Sequence, residues 1–365
     1  MKRRLAVLLT LALVPVIAAC GSKSSSSSDS GGTSQAVLDH AAQVVAESSK
    51  PVTAYDFPTS APNPARNKHV VAITCTNQGS GCPQSAQGTA NATKALGWKV
   101  DIVDGKGNPS VWNSAMRNAI ASHADGIVLS AVPPKILGDA IQKANAAHIP
   151  VVTIFEPFNK TDGVYGHVTV DNKDMGRRLA DWVIADSKGK AHVVVNTDNE
   201  YQELDDRVAG FKAELATCSG CKVDATVPST LASLATDLPK ATIAAVQAHP
   251  DANYVVANTD NHAVFITQGL RQAGKLGPIK VASYDGNTPN YDLIRQGQQS
   301  VVQAEPYEFY GWLAADLLIR AFAGQPGQDH LSPSRMLVKD NIGSSGMWNL
   351  DFDWKGQFEK LWGIG

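Results

Sequence analysis

From residue 69 onward, short runs of β-branched and apolar residues alternate with longer stretches whose apolar positions recur every three or four residues. The runs HVVAIT, KVDIVD, GIVLSA and PVVTIF predict strands, and SAQGTANATKALG, WNSAMRNAIASH and PKILGDAIQKANAAH predict the amphipathic helices between them. After GHVTVDN the rhythm restarts. The helices KDMGRRLADWVIAD, RVAGFKAELAT, TDLPKATIAAVQAH and HAVFITQGLRQAG alternate with the strands AHVVVNT, KVDATV, YVVANT and IKVASY. Strand–helix–strand repetition of this kind builds a parallel, doubly wound sheet, so two tandem halves predict two α/β lobes. Ligands of open sheets bind beyond the carboxyl ends of the strands. The residues just after each strand, facing a cleft between the lobes, are therefore the ones to inspect for chemistry.

Upstream the pattern differs. AVLDHAAQVVAESS carries helical spacing at Val37, Leu38, Ala41, Val44 and Val45, and KPVTAYDFPTSAPNPARNK follows it. These predict a peripheral helix and a proline-rich linker outside the main fold. The chain opens on the basic patch MKRR, then the apolar stretch LAVLLTLALVPVIAA and Cys20, the plan of a secretory signal over residues 1–19. The apolar run is too short for a spanning helix and contains Pro15. IAAC resembles a bacterial lipobox, in which the cysteine receives a diacylglycerol and becomes the mature N-terminus; two acyl chains hold a protein on a membrane where one does not. A plain secreted protein is the alternative. The following GSKSSSSSDSGGTSQ is too polar to bury anything and reads as a tether.

With Cys20 lipidated, four of the five cysteines remain, as two close pairs: Cys75 with Cys82, and Cys218 with Cys221. Outside the cytoplasm both pairs are expected to oxidise. A redox role for CSGC would want it opening a helix after a strand; here it ends a helical stretch and precedes a strand, which favours a turn staple. A zinc site from the two pairs would have to join segments far apart in sequence with no nearby histidine, so no metal is expected, nor any cofactor.

Charge is balanced, with 32 Lys and Arg against 34 Asp and Glu, and no basic stripe marks a nucleic-acid surface. The chain has no GxSxG, HExxH or Walker loop, and its nearest glycine cluster, DGKGNP, lacks phosphate-loop spacing. It is read as no enzyme; a secreted hydrolase with paired carboxylates is the enzymatic alternative.

Several segments in order, KALGWKVDIVDGKGNP, ADGIVLSAVPP, KANAAHIPVVTI, TVDNKDMGRRLADW, DDRVAGF, VVANTD and VASYDGNTPNYDLIRQGQQSVVQAEP, resemble the type I periplasmic sugar-binding proteins, a family that includes the ribose-binding protein. The resemblance spans roughly residues 68–340. It implies a bilobal fold of two doubly wound parallel sheets with three interlobe crossings, near Val170 and Asp171, near Glu305 and Pro306, and around Arg335. The expected division is a first lobe of residues 67–170 with 306–335 and a second of 171–305 with 336–365, preceded by 20–66 as tether, helix and linker. It also implies a monomeric receptor on the outer face of the cell membrane that closes on a small solute and hands it to an ABC permease and its ATPase. A receptor that docks on a membrane sensor is the alternative.

Carried over by position, the family's ligand contacts fall on Gly79 in the first loop, on Phe155 and Glu156 after the fourth strand, and on Asp205 where the relatives have an arginine. Further positions fall on Thr259, on Asp260, on Asp285, and on Glu305 in place of a glutamine. Each has a structural reading beside it: Asp260 suits a helix N-cap, Asp285 a turn before glycine, Asp205 a helix start, and Phe155 lobe core. The loop between the first pair of cysteines lies at the cleft mouth, so the Cys75–Cys82 link either preorganises Gln78, Gly79 and Ser80 for contact or is a staple alone. With no arginine among the matched positions and several carboxylates there, the expected order of cargo is a neutral sugar or polyol, then an amino-bearing or other non-sugar solute, then anions.

Overall fold

The computed structural model describes residues 33–78, 81–159, 163–344 and 346–365. The signal segment, Cys20, most of the serine-rich tether, Gly79 and Ser80 lie outside the described residues. Helix α1 (Gln35–Ser48) precedes a first α/β run: β1 (His69–Thr74), α2 (Gly81–Ala95), β2 (Lys99–Asp104), α3 (Pro109–Ala121), β3 (Gly126–Ser130), α4 (Gly138–Ala146), β4 (Val151–Ile154) and β5 (Gly166–Thr169). A second run follows: α5 (Asn172–Asp186), β6 (His192–Thr197), α6 (Gln202–Leu215), β7 (Lys222–Pro228), α7 (Leu238–Ala248), β8 (Tyr254–Val256), α8 (Asp260–Gln272), β9 (Lys280–Asp285), α9 (Thr288–Arg295) and β10 (Val301–Ala304). The chain ends with α10 (Tyr307–Phe322), β11 (His330–Leu331), β12 (Arg335–Val338) and α11 (Trp354–Trp362).

Among the described residues the strands form two sheets, ordered β11-β5-β4-β3-β1-β2 and β12-β10-β9-β8-β6-β7. All neighbours pair in parallel except β12, which runs antiparallel to β10. The central strands are buried on both faces, which is why GIVLS and VVTI read as unbroken apolar runs. The chain passes between sheets after Thr169, after Ala304, and between Leu331 and Arg335.

Two further segments also join the lobes. α1 is not peripheral: Ala41 is fully buried in the second lobe's core beside Met175 and Leu179, and Val37, Leu38 and Val45 pack against it. The proline-rich segment after it places Tyr55 and Phe57 against the first lobe's core, with ring centroids 4.9 Å from Phe309 and Phe358 respectively. At the other end, Trp348 belongs to a second-lobe cluster with Tyr291 and Leu337, whereas Trp354, Phe358 and Trp362 sit in the first core, Trp362 stacked on Trp312 at 5.2 Å. Residues 336–365 therefore do not all belong to the second lobe. The apolar spacing of α11 fits either core, and only the packing decides.

The link at Cys75–Cys82 spans the end of β1 and the start of α2, with an S–S distance of 2.04 Å. The Cys218–Cys221 link closes the turn between α6 and β7. No helix among the described residues is long and apolar enough to cross a membrane.

Candidate functional site

The first-lobe strands β1 and β4 and the second-lobe strands β6 and β9 deliver residues at or just beyond their carboxyl ends into one cleft. It holds about 720 Å³ of unfilled space, part of it open to solvent. Cys75, Thr76, Gln78, Phe155 and Tyr307 line the first-lobe side; Asp198, Glu203, Arg207, Thr259, His262 and Asp285 line the second.

Arg207 is the centre of the second wall and was not among the residues singled out from the sequence. It sits in the second turn of α6, which begins five residues earlier than the apolar run RVAGF suggests, because Gln202 to Asp206 already wind into the helix. Buried positions on α6 are Glu203, Leu204, Arg207, Gly210, Phe211 and Leu215, the i, i+4 and i+7 rows of one face. Asp205 is on the opposite side, exposed, and does not line the cleft, so the carboxylate expected there from the family resemblance does not face solute. Two glycines let α6 approach α5 closely. A Cβ on Gly176 would lie 2.1 Å from the Arg207 carbonyl, and one on Gly210 would lie 2.0 Å from the Lys173 carbonyl.

The guanidinium is almost fully satisfied. Nε donates to Asn172 Oδ1 at 2.9 Å, Nη1 donates to Asp285 Oδ1 at 2.7 Å and the Asn258 carbonyl at 3.4 Å, and Nη2 donates to Glu305 Oε1. Burial opposes its charge, but the Glu305 and Asp285 carboxylates outweigh that and hold it protonated. Asp285 has φ +102°, a conformation rare for a residue with a side chain, and its carboxylate lines the cleft at the last residue of β9. Phe155, directly after β4, also has a positive φ, +79°. Its ring lies 5.4 Å from those of Tyr307 and Tyr310, both edge-on, so it is lobe core and cleft wall at once.

Glu305 is buried behind this wall and does not line the cleft. It accepts from Tyr310 Oη at 2.8 Å as well as from Arg207. Burial pushes its carboxyl up to about 7 against the pull of Arg207. Glu156 is also buried without lining the cleft. Asp260 departs furthest from expectation. It is completely buried, away from the cleft, and its carboxylate accepts from the Gly286 and Asn287 backbone at 2.9 and 2.6 Å and from Ser283 and Gln299. It clamps the β9 turn that carries Asp285, and the helix N-cap is Thr259. Burial and the nearby Asp285 charge push Asp260 up to about 8.

Three more polar groups reach the cleft without a signal in the motif comparison: Asp198, Glu203 and His262. Burial pushes Glu203 up to about 7, and its Oε2 makes no hydrogen bond among the described residues. His262 takes a 2.7 Å bond with Thr259 through Nδ1 and turns Nε2 to within 3.5 Å of Asp198. Asp198 directly follows β6, so the rule of inspecting strand ends marks it; Glu203 and His262 are one helical turn further on, where that rule does not look. The site thus offers one guanidinium, several carboxylate oxygens and an aromatic wall. No nucleophile–base pair of the kind acyl transfer needs is among these contacts.

The periplasmic binding protein domain family matches residues 70–326. The ribose import binding protein of Bacillus subtilis (strain 168) is 25% identical over 254 residues, which is 67% of this chain and 79% of that protein. The D-apiose import binding protein of Paraburkholderia graminis is 24% identical over 274 residues, 72% of this chain and 85% of that one. Among solved structures, an ABC transporter solute-binding protein from Burkholderia graminis in complex with D-arabinose superposes with a TM-score of 0.71 at 20% identity, covering 78% of this chain and 99% of that chain. One from Agrobacterium vitis bound with α-D-tagatopyranose gives 0.69 at 20% identity, covering 76% and 97%. With the two-lobed parallel fold, the strand-end cleft and a family match over most of its length, this chain belongs to the periplasmic binding proteins of type I.

Proposed function

We propose that this protein is the lipid-anchored receptor of an ABC importer and takes a small, neutral, polyhydroxylated solute, a sugar or polyol, into the interlobe cleft. The observation that carries this reading is the Arg207–Asp285 pair on one wall facing the Phe155–Tyr307 rings on the other. A sugar hydroxyl donates to a carboxylate and accepts from a guanidinium at the same time, and the apolar face of its ring lies against aromatic carbon. The relatives point the same way, being named for ribose or apiose and solved with tagatose or arabinose. The presence of Arg207 removes the argument that the cleft lacks a cation. Anions remain the least suited cargo because that cation is already held by two carboxylates.

A solute that touches both lobes binds the closed form better than the open one, and that difference in affinity drives closure. The importer then recognises the closed shape. An amino-bearing polyol is the second reading, favoured by Asp198, Glu203 and Asp285 lining one wall.

The test is a thermal-shift screen of the soluble domain against pentoses, hexoses, polyols, amino sugars and sugar phosphates, followed by calorimetry. A ligand at 100 times its dissociation constant adds about 2.7 kcal/mol of stability. A tight-binding anion, or hits confined to compounds without vicinal hydroxyls, would overturn the reading. Anchoring is tested separately: wild-type protein partitions with membranes and incorporates labelled fatty acid, and Cys20→Ala does neither.

A further inference from the structure

Away from the cleft, three helices of the second lobe converge on a group of side chains that solute binding does not use. His40 on α1, Asp181 on α5 and Glu214 on α6 each bring one ligating atom to within 4.8 Å of the other two. We propose that these three side chains form a binding site for a single divalent transition ion of the zinc class, which clamps α1 onto the second lobe.

Two independent observations support a cation there. The first is the donor set: one imidazole nitrogen and two carboxylate oxygens from three separate helices. Imidazole selects borderline ions over calcium or magnesium, and three protein ligands with a water in the fourth position is a common zinc arrangement. The second is Asp181 itself. It is 3% exposed, and its Oδ1 makes no hydrogen bond among the described residues. A buried carboxylate oxygen without a donor is costly, and native structures rarely keep one without a reason. Arg177, one turn earlier on α5, is engaged by Asp174 at 3.2 Å, and Glu214 beside Asp181 is a like charge, which a dication between them would offset.

The geometry also accommodates contraction. Tetrahedral ligands at about 2.0–2.1 Å from zinc lie about 3.4 Å apart, so the three atoms, all within 4.8 Å of one another, need close by no more than roughly 1.4 Å. His40 is exposed and Glu214 half-exposed, free to move toward the fixed Asp181. α1 is positioned for this: Thr33 just before it donates to the Gly189 carbonyl at 2.9 Å and accepts from Gly220 N at 3.1 Å, and Ala41, next to His40, is fully buried against α5. His40 lies outside the residues matched by the family, whereas Asp181 and Glu214 lie within them, so the site joins the N-terminal extension to the family domain.

The test uses the mature chain, stripped with chelator, titrated with zinc chloride and, in parallel arms, with cobalt, calcium and magnesium chloride. Expected are one zinc per chain, a rise in melting temperature, and cobalt absorption bands of a four-coordinate site. Calcium and magnesium should give neither binding nor shift. His40→Ala, a surface change that leaves folding intact, should weaken zinc binding at least tenfold and abolish the cobalt bands, and so should Asp181→Asn. Glu214→Gln should show a smaller loss. No saturable zinc binding by the wild type, or the same stoichiometry and affinity in His40→Ala and Asp181→Asn, would overturn the site.

Discussion

Arg207 and Asp285, 78 residues apart in sequence, meet at 2.7 Å on the second-lobe wall of the cleft, with Glu305 closing the other side of the same guanidinium. The pair is held from behind rather than by its own helix and strand. Asp260 grips the Gly286 and Asn287 amides that shape the β9 turn, and Asn172 takes the guanidinium Nε.

Arg207→Ala leaves two carboxylates facing a buried space with no cation. Breaking a buried pair from one side costs about 3–5 kcal/mol, so a fall of that size in denaturant-derived stability is expected, together with a loss of solute affinity of at least about 100-fold, which corresponds to about 2.7 kcal/mol. Arg207→Lys retains the charge but cannot bridge Asn172, Asp285 and Glu305 at once, and should recover only part of both. Calorimetric affinity within threefold of wild type in Arg207→Ala would remove this residue from the binding site.

How the cleft was and was not legible in the sequence follows from these residues. Strand ends are visible because β-branched runs stop abruptly, so the positions of Phe155, Asp285 and the Cys75 loop are legible, and the family resemblance marks Phe155 and Asp285 among them. Arg207 is hidden because it lies inside a helix whose first turn, QELDD, is polar and carries no apolar period. The apolar period places the helix start at Arg207 itself, and the family resemblance points to Asp205 instead. Asp260 shows the reverse. Its place after a strand is right, but whether such a carboxylate points at solute or at a neighbouring turn depends on packing of β9, which no local pattern encodes. The two lobes are legible from repetition; the additional crossings by residues 49–57 and 348–354 are not, because Tyr55, Phe57 and Trp354 would suit either core.

Proton linkage gives a second prediction. Burial holds Glu203 and Glu305 at about 7 and Asp260 at about 8 in the folded protein, against ordinary values of 4.5, 4.5 and 3.8. Between those limits the folded state binds more protons than the unfolded chain, so these groups make stability fall as pH rises. Their contribution is complete below about pH 4 and is lost through about pH 8. Glu203→Gln should flatten the slope between pH 5 and 7 by at most about 1.4 kcal/mol per pH unit, one proton's worth. Urea melts of unliganded wild type and variant at pH 5, 6, 7 and 8 read this directly, and parallel curves would show that Glu203 ionises normally.

The Cys75–Cys82 link closes a small loop, with a sequence separation of 7; chain entropy predicts about 2.5 kcal/mol from it. Cys75, Gln78 and Cys82 all line the cleft, so opening the link also frees a binding surface that must then be ordered on binding. Cys75→Ser with Cys82→Ser is expected to lower both the melting temperature and, by about tenfold, the solute affinity. The corresponding Cys218 and Cys221 double variant should lower stability alone, since neither residue lines the cleft. Equal effects of the two double variants on affinity would mean that the first link is a staple and nothing more.

The last prediction concerns the node where the extra crossings meet. Asp351 accepts from Arg335 Nη1 at 2.8 Å, from Val52 N at 2.8 Å and from Trp348 Nε1 at 2.9 Å, while Arg335 Nε donates to the Ser49 carbonyl at 3.1 Å. One carboxylate thus ties the N-terminal segment, the first residue of β12 and the C-terminal segment at the level where the chain passes between lobes. Asp351→Ala leaves the largely buried Arg335 guanidinium without its partner and should destabilise by about 2–4 kcal/mol. It should also loosen the lobes against each other, so that the binding-competent closed form is a smaller fraction of the unliganded protein and apparent affinity falls by that fraction. Phe57→Ala removes a half-buried ring packed against the first core, with Phe309 and Phe358 as neighbours. It should cost about 2–3 kcal/mol with affinity unchanged, since Phe57 sits at the first-lobe end of that crossing, away from the Asp351 node and the cleft lining. Calorimetry and small-angle scattering on the two variants separate the effects: a wider unliganded envelope and weaker binding in Asp351→Ala alone is expected. Identical scattering and affinity in both would confine the node to a stabilising role.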